Sequence, residues 1–354
     1  MRQDGETLHA ALIGVGMVAP TYIAALASSN ANIALRGVLG STPQSGETFR
    51  QRRCGGDDQI VAYRDLDSLI ADKVVDFAIV ATPPNKRREI ITALADAGKP
   101  ILMEKPVERT WQAAQEICDL CERASVPLGI VLQHRARPSA QALRDLVEGG
   151  STGPLRSVEI NFPWWREQAY YDAPGRGTYG RDGGGVLISQ AIHTLDLALQ
   201  FTPAVRSITS MVATTEDHAM EAENFVSAGL QFDDGAVGSL YASTAAYPGT
   251  PERIVLHYAN VTARLEASEL ALAWRDGREE TIGSRGSTGA GADPMAFTAD
   301  WHQAVIENFA DHIRLEAPLI ASGRSALAVH SLIEAIIQSG QEGRTISLTE
   351  QKGG

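Results

Sequence analysis

Basic charge, cysteine and long apolar runs are what this chain is short of. Against 31 Lys and Arg stand 43 Asp and Glu, a formal net charge of -12 at pH 7. A nucleic-acid partner would want a basic stripe, and an anionic membrane surface a basic face, so neither is expected. No uninterrupted apolar run reaches the length of a membrane span. The opening Met1-Arg2-Gln3-Asp4-Gly5-Glu6 is polar and lacks the layout of a secretion signal, which points to a cytoplasmic protein. Three cysteines, Cys54, Cys118 and Cys121, fit a reducing compartment. Cys118 and Cys121 form a C-x-x-C, but inside a helical pattern (Ala113, Ile117, Leu120) with no second pair nearby, so they read as buried helix residues. No cluster of ligating side chains suggests a metal. At 354 residues the chain is too long for one comfortable core, and the reading divides it at 1–132 and 133–354.

The first half has a strand–helix rhythm. Leu8 to Ile13 is a short apolar strand running into Gly14-Val15-Gly16-Met17-Val18-Ala19, with Pro20 at the start of a helix. Strand, glycine turn and helix in that order are the context a dinucleotide fingerprint needs. Gly14 makes the turn, Gly16 admits a pyrophosphate close to the backbone, and Ala19 lets the helix pack against the strand. Strands follow at Ile33 to Leu39, Val74 to Val80, Ile101 to Met103 and Pro127 to Leu132, with helices between them. This alternation implies a doubly wound parallel sheet. After the second strand an NAD enzyme usually carries an acid for the ribose, whereas here the residues are Gly40-Ser41-Thr42. No carboxylate repels a 2′-phosphate, so the balance tips toward NADP, with NAD left open. Arg50, Arg52 and Arg53 read equally as phosphate partners or as a solvated helix end. Ile101-Leu102-Met103-Glu104-Lys105-Pro106 places a lysine at the carboxyl end of a buried strand. Taken alone, Lys105 reads as a solvated loop lysine. In a sheet of this kind, however, that end is where ligands bind.

Beyond about residue 150 the period changes to alternation. Leu155 to Phe162 is one strand, and Phe225 to Phe232 with Ala236 to Ala242 flank a hairpin turn, Asp233-Asp234-Gly235. Ile254 to Tyr258, Val261 to Leu265, Glu269 to Trp274 and Glu280 to Ile282 add further strands. The expected second domain is therefore α+β, with an open mixed or antiparallel sheet. Helices are expected over Asp300 to Leu315 and over Ala326 to Ser339, the latter capped by Gly340. The Gly- and Ser-rich Gly283 to Gly291 reads as a surface loop or a lid. Gly183-Gly184-Gly185 opens a helical stretch on which Ser189, His193 and Asp196 share a face at spacings of four and three. By itself His193 reads more readily as a satisfied core histidine than as a base, while Asp196, one turn on, is placed either to fix its tautomer or to bond to backbone.

Taken together, the Glu104-Lys105-Pro106 stretch, the glycine turn, Ala81-Thr82-Pro83 and the triple-glycine helix with His193 resemble the Gfo/Idh/MocA oxidoreductases. The likeness runs nearly end to end and includes Ser339 to Leu348. It implies a Rossmann domain followed by an open-sheet domain whose exposed face commonly makes a homodimer or homotetramer, and a Lys–Pro bond that is often cis. Lys105 then corresponds to the family's active-site lysine and His193 to its acid/base. The nucleotide would be met by Gly14, Gly16, Met17, Val18, Ser41, Thr42, Ala81, Thr82, Pro83, Glu104 and Lys105. The order Trp164-Trp165-Arg166, Tyr170-Tyr171, Arg176-Gly177-Thr178 and Asp182 to Gly185 looks like dehydrogenases of UDP-linked amino-sugar acids. It nominates Arg135, Trp165, Arg166, Tyr171, Arg176 and Ser189 as substrate contacts beside Lys105 and His193, although Trp164 reads equally as core. Two positions depart from the pattern: Ser189 stands where many members have aspartate, and Arg87 where relatives often have histidine.

The expectation is an NAD(P)-dependent oxidoreductase that moves a hydride to or from a secondary alcohol of a sugar-like molecule. A cofactor-binding sensor without catalysis is the alternative, which Ser189 favours and the retention of Lys105 and His193 opposes. An imine or tetrapyrrole reductase is a third, disfavoured by the aromatic and arginine cluster.

Overall fold

The computed structural model describes residues 6–284 and 298–348; the segment 285–291, part of the expected glycine-rich loop, lies outside them. The strands are β1 (Leu8–Ile13), β2 (Ile33–Leu39), β3 (Val61–Ala62), β4 (Phe77–Val80), β5 (Ile101–Glu104), β6 (Leu128–Val131), β7 (Leu155–Pro163), β8 (Val205–Ala213), β9 (Phe225–Phe232), β10 (Val237–Ser243), β11 (Arg253–Tyr258), β12 (Val261–Glu266), β13 (Glu269–Trp274), β14 (Glu279–Ile282) and β15 (Ile346–Ser347). The helices are α1 (Ala19–Ser28), α2 (Pro43–Arg53), α3 (Leu66–Ala71), α4 (Arg87–Asp96), α5 (Trp111–Arg123), α6 (Pro138–Glu148), α7 (Gln168–Tyr171), α8 (Ile192–Leu199), α9 (Asp300–Leu315) and α10 (Gly323–Glu342). Two compact units result. The first takes the chain to Glu108, Gln112–Gln133 and Ala299–Leu327; the second takes Arg109–Trp111, His134–Thr298 and the chain from Ala328.

In the first unit, six parallel strands stand in the order β3-β2-β1-β4-β5-β6. All four residues of β4, of β5 and of β6 are buried. Parallel strands covered by helices on both faces need such continuous apolar runs. The order reverses at the β1/β4 pair, and ligands of open α/β sheets bind beyond the carboxyl ends at that point. The reading at 132/133 assigned α9 to the second domain, but it belongs to the first unit. Its Val305, Ile306, Phe309 and Ala310 are buried, and the Phe309 ring meets Phe77 edge-on at 5.6 Å. Gly129 makes room for that ring, since a Cβ there would lie 2.8 Å from it.

In the second unit, nine strands run in the order β14-β13-β12-β11-β7-β10-β9-β8-β15. β7 and β10 pair in parallel while the other neighbours are antiparallel, so the sheet is mixed. Its apolar face joins one core with residues of α6, α8 and α10, among them Leu143, Leu195 and Ile336. The opposite face exposes Met211, Ser227, Gln231, Val237 and Ser239. The C-terminal helix does not stop at Gly340. It continues to Glu342, and Gly343 takes the left-handed φ of 62° that ends it. Gly340 is small for a different reason: a Cβ there would come within 2.5 Å of the Val212 side chain.

Phe309→Ala should cost about 3–5 kcal/mol, as deletion of a buried ring usually does. A urea midpoint that did not move would mean that α9 is no part of the first unit's core.

Candidate active site

β1 delivers the chain into Gly14, whose φ of 100° only glycine adopts readily and whose Cβ would sit 2.8 Å from the Ala81 carbonyl carbon and oxygen. The turn is thus wedged between strands: Gly14 N–H donates to the Leu39 carbonyl and Ala81 N–H to that of Ile13. A Cβ on Gly16 would meet nothing within 4 Å, and Met17 is 52% exposed. Val18 caps α1 without a side-chain hydrogen bond, and in the first turn Ala19 N–H donates to the Gly16 carbonyl at 3.2 Å and Thr21 N–H to that of Val18 at 3.0 Å, so the open space lies over the glycine turn itself. These features fit a dinucleotide pyrophosphate. After β2, Thr42 caps α2 reciprocally with Ser45, while the side chain of Ser41 is exposed. Gly40 packs so tightly on this cap that a Cβ would lie 2.3 Å from Ser45 Oγ, which leaves no space for a ribose-binding acid there. Arg50 is drawn away from any phosphate by Glu47 and Asp58, whereas Arg52 and Arg53 are exposed.

Lys105 follows β5 directly, and its bond to Pro106 is cis. Arg87, noted in the sequence only as a departure, organises this loop. Its guanidinium is 2% exposed; Nε donates to Thr82 O at 2.9 Å, Nη1 to the carbonyls of Glu104 and Pro106, and Nη2 to that of Lys105 at 3.3 Å. Burial lowers its pKa to about 10, which still leaves it cationic at neutral pH. The Glu104 carboxylate, expected to face the nucleotide, accepts from Tyr22 Oη at 2.8 Å and from Lys105 N–H at 3.1 Å. His302 Nε2 lies 3.9 Å from the same carboxylate, and burial holds that imidazole below its ordinary pKa.

In the second unit the triple glycine is a packing device. Gly183 (φ 89°) crosses the Arg109 backbone, and a Cβ on Gly185 would fall 1.7 Å from the Glu223 carbonyl. Glu223 then caps the helical stretch, its carboxylate accepting from Gly185 N–H at 3.0 Å and Leu187 N–H at 3.1 Å. Residues Leu187–Ala191 form a π-turn before α8, which corrects the regular α-helix expected here. Within that turn Ser189 Oγ donates to the Gly185 carbonyl at 2.5 Å. Asp196 shares a helical face with His193, but its carboxylate is engaged by an arginine. Its carboxylate makes a bidentate pair with Arg135, at 2.7 Å from Nε and 2.6 Å from Nη2, both side chains being buried. Burial pushes the Asp196 carboxyl up and the guanidinium pulls it back. His193 itself is 8% exposed, and its ring lies 4.9 Å from that of His134, tilted by 33°.

The aromatic segment is built around two positions. Arg166 is 1% exposed, lies over the Trp164 ring at 4.8 Å and donates to the Trp165 carbonyl at 2.8 Å. His218, which the sequence reading did not single out, stands between Trp165 (5.8 Å) and Tyr171 (4.7 Å). Its ring is fixed by the Arg166 carbonyl and the Asn224 amide. Tyr171 Oη donates to Thr244 Oγ1, and Arg176 Nη1 to Tyr170 Oη at 2.6 Å. Among the described residues no three His, Cys, Asp or Glu side chains gather as a metal-holding group. Cys118 and Cys121 are buried free thiols, their pKa values pushed up by burial to about 12 and about 11.

Residues 8–131 match the oxidoreductase family with an NAD-binding Rossmann fold, and residues 140–288 match the GFO/IDH/MocA C-terminal domain. The chain belongs to the Gfo/Idh/MocA oxidoreductase family. It is 28% identical to a D-apiose dehydrogenase of Paraburkholderia graminis over 81% of this chain and 76% of that one. It is 26% identical to an inositol 2-dehydrogenase of Rhizobium meliloti over 97% and 99%. The WlbA dehydrogenase from Bordetella pertussis, solved with NADH and UDP-GlcNAcA, superposes with a TM-score of 0.83 at 24% identity, over 98% and 99% of the two chains, and so shares the fold.

Seen as a Gfo/Idh/MocA member, the chain uses Arg87 and Glu223 where the sequence offered only a departure and an unremarked acid. Glu223 is 38 positions from Gly185, and nothing in the intervening sequence announces the contact. Asp196→Asn would leave the Arg135 guanidinium buried without its counter-charge, and a loss of about 3–5 kcal/mol is expected. A thermal or urea midpoint within error of the parent would show that the pair carries no such duty.

Proposed function

We propose that this oxidoreductase transfers a hydride between a nicotinamide dinucleotide and a secondary alcohol of a sugar or polyol, with Lys105 and His193 handling the proton. The observation that carries the reading is the held lysine: Arg87 and Glu104 fix the backbone on both sides of Lys105 at the end of a dinucleotide-binding strand. When bound, the nicotinamide takes or gives the hydride. Gly14, Gly16, Met17 and Val18 would hold the pyrophosphate, and Ala81, Thr82 and Pro83 would line its path. His193 is the proposed acid/base for the hydroxyl proton, and Lys105 the proposed cation for the charge that gathers on the substrate oxygen. Trp165, Tyr171, Arg176, Arg135, Arg166 and Ser189 are the proposed sugar contacts. The relatives named for apiose and inositol support a polyol-like substrate.

For the cofactor, the glycine at position 40 and the exposed Ser41 favour NADP, and the exposed Arg52 and Arg53 are candidate phosphate partners. A homodimer or homotetramer through the open face of the nine-stranded sheet is in keeping with Met211 at 64% and Val237 at 52% exposure. No described helix is long and apolar enough to cross a membrane. A reducing, cytoplasmic setting suits the free thiols.

Lys105→Ala is expected to lower kcat by about 10²–10⁴ across a panel of sugars and polyols. Binding of reduced nicotinamide, followed by its fluorescence, should survive. Parent-level turnover would refute the lysine's role. Ser41→Asp should weaken NADP use by about tenfold or more while sparing NAD, because a carboxylate repels the 2′-phosphate. Equal effects on both cofactors would remove the NADP preference.

A further inference from the structure

Directly after β6, the turn Gln133–Ala136 carries a second imidazole against the proposed acid/base. The His134 ring lies 4.9 Å from that of His193, tilted by 33°. His134 is 6% exposed, and its Nε2 is 2.5 Å from Nη2 of Arg137. A guanidinium has only donors, so Nε2 must be the acceptor, and an imidazole that accepts at Nε2 is neutral with its proton on Nδ1. Arg137 has no freedom to turn away. Nη1 donates to the Ala267 carbonyl at 2.7 Å and Nη2 to Glu252 Oε1 at 2.8 Å, with arginine and glutamate side chains each 3% exposed. Charged groups near His134 include Arg137, with Glu252 behind it, and the Arg135–Asp196 pair begins at the next residue, while His193 faces it from α8.

We propose that His134 is a positioning residue for His193, locked as the neutral Nδ1–H tautomer by the Arg137–Glu252 pair. Two imidazoles packed this closely would otherwise compete for one proton and titrate as a coupled unit. With Arg137 donating to one of them, a second positive charge on that ring is disfavoured, and protonation is confined to His193. The neutral ring also walls one face of His193, fixing its plane without giving or taking a proton. Burial acts on the lock from the other side: it lowers the Arg137 pKa, and Glu252 opposes that shift and keeps the guanidinium charged. This inference rests on His193 being the acid/base, but its first test does not.

The test uses the full chain labelled with ¹⁵N-histidine, in which long-range ¹⁵N–¹H spectra separate the tautomers. The chain has 8 histidines, so His134→Gln and His193→Gln provide the assignments. In the parent, His134 should give the Nδ1–H pattern and stay neutral between about pH 5 and 8, where free imidazoles titrate. In Arg137→Met/Glu252→Leu, which removes both charges together so that neither is left buried alone, His134 should titrate near its ordinary value of about 6.5. The acid limb of kcat/KM should then show two ionisations in place of one. His134→Phe keeps a ring without nitrogens and should retain kcat within about threefold, whereas His134→Ala should lose about tenfold or more in kcat with little change in KM. An Nε2–H pattern, or titration of His134 in the parent, would overturn the lock. Equal activity of the Phe and Ala variants would overturn the positioning role. Full activity of His193→Gln would instead remove the acid/base reading and leave the tautomer result standing.

Discussion

A single buried guanidinium, that of Arg87, joins the turn after β4 to the three carbonyls that bracket Lys105. Taking a cation out of water is costly unless hydrogen bonds replace its hydration, and here four main-chain oxygens do so. Only a planar fork can reach acceptors on two separate loops at once; an ammonium would satisfy one loop and release the other. Charged donors contribute about 1.5–3 kcal/mol per bond, so this side chain outweighs the local preferences of the loop it holds. The lysine's backbone is thereby fixed before any ligand arrives, which is what orientation-based catalysis requires.

The second unit solves the same problem with the opposite charge. Glu223 presents a buried carboxylate to the N–H groups of Gly185 and Leu187, and the glycines let the two backbones meet. Burial raises the pKa of this carboxyl and the N–H donors lower it, so the cap works against its own desolvation. In both units a charged side chain holds backbone, and the backbone in turn aims the residue proposed to do chemistry.

These two devices explain which parts of the molecule were legible in the sequence. Strands β1, β2 and β4–β6, the glycine turn and the hairpins around β9–β10 and β11–β12 announce themselves through apolar runs, alternation or turn residues, all of them local signals. β8 was missed because a register shift between Val205 and Ser207 spaces its buried Val205 and Ile208 by three rather than two. Gly340 looked like a helix stop because small size and positive φ are indistinguishable in a sequence; here the need was for size. Ser189, His193 and Asp196 were correctly placed on one helical stretch, but the π-turn and the claim of Arg135 on Asp196 are tertiary facts. Arg87 and Glu223 act on partners distant in sequence, so a single chain without its fold could not reveal them.

The neighbouring arginines Arg135 and Arg137 show what buried charge is for in this protein. Each is paired with a carboxylate from another element, Asp196 and Glu252. Such pairs are poor sources of stability, because desolvation consumes most of their attraction and well-packed apolar residues would often serve as well. Apolar residues, however, have no direction. Arg135 engages the Asp196 carboxylate, and Arg137 supplies a donor where His134 needs one. The His193 ring lies beside the neighbouring imidazole of His134, and Ser189 Oγ donates to the Gly185 carbonyl.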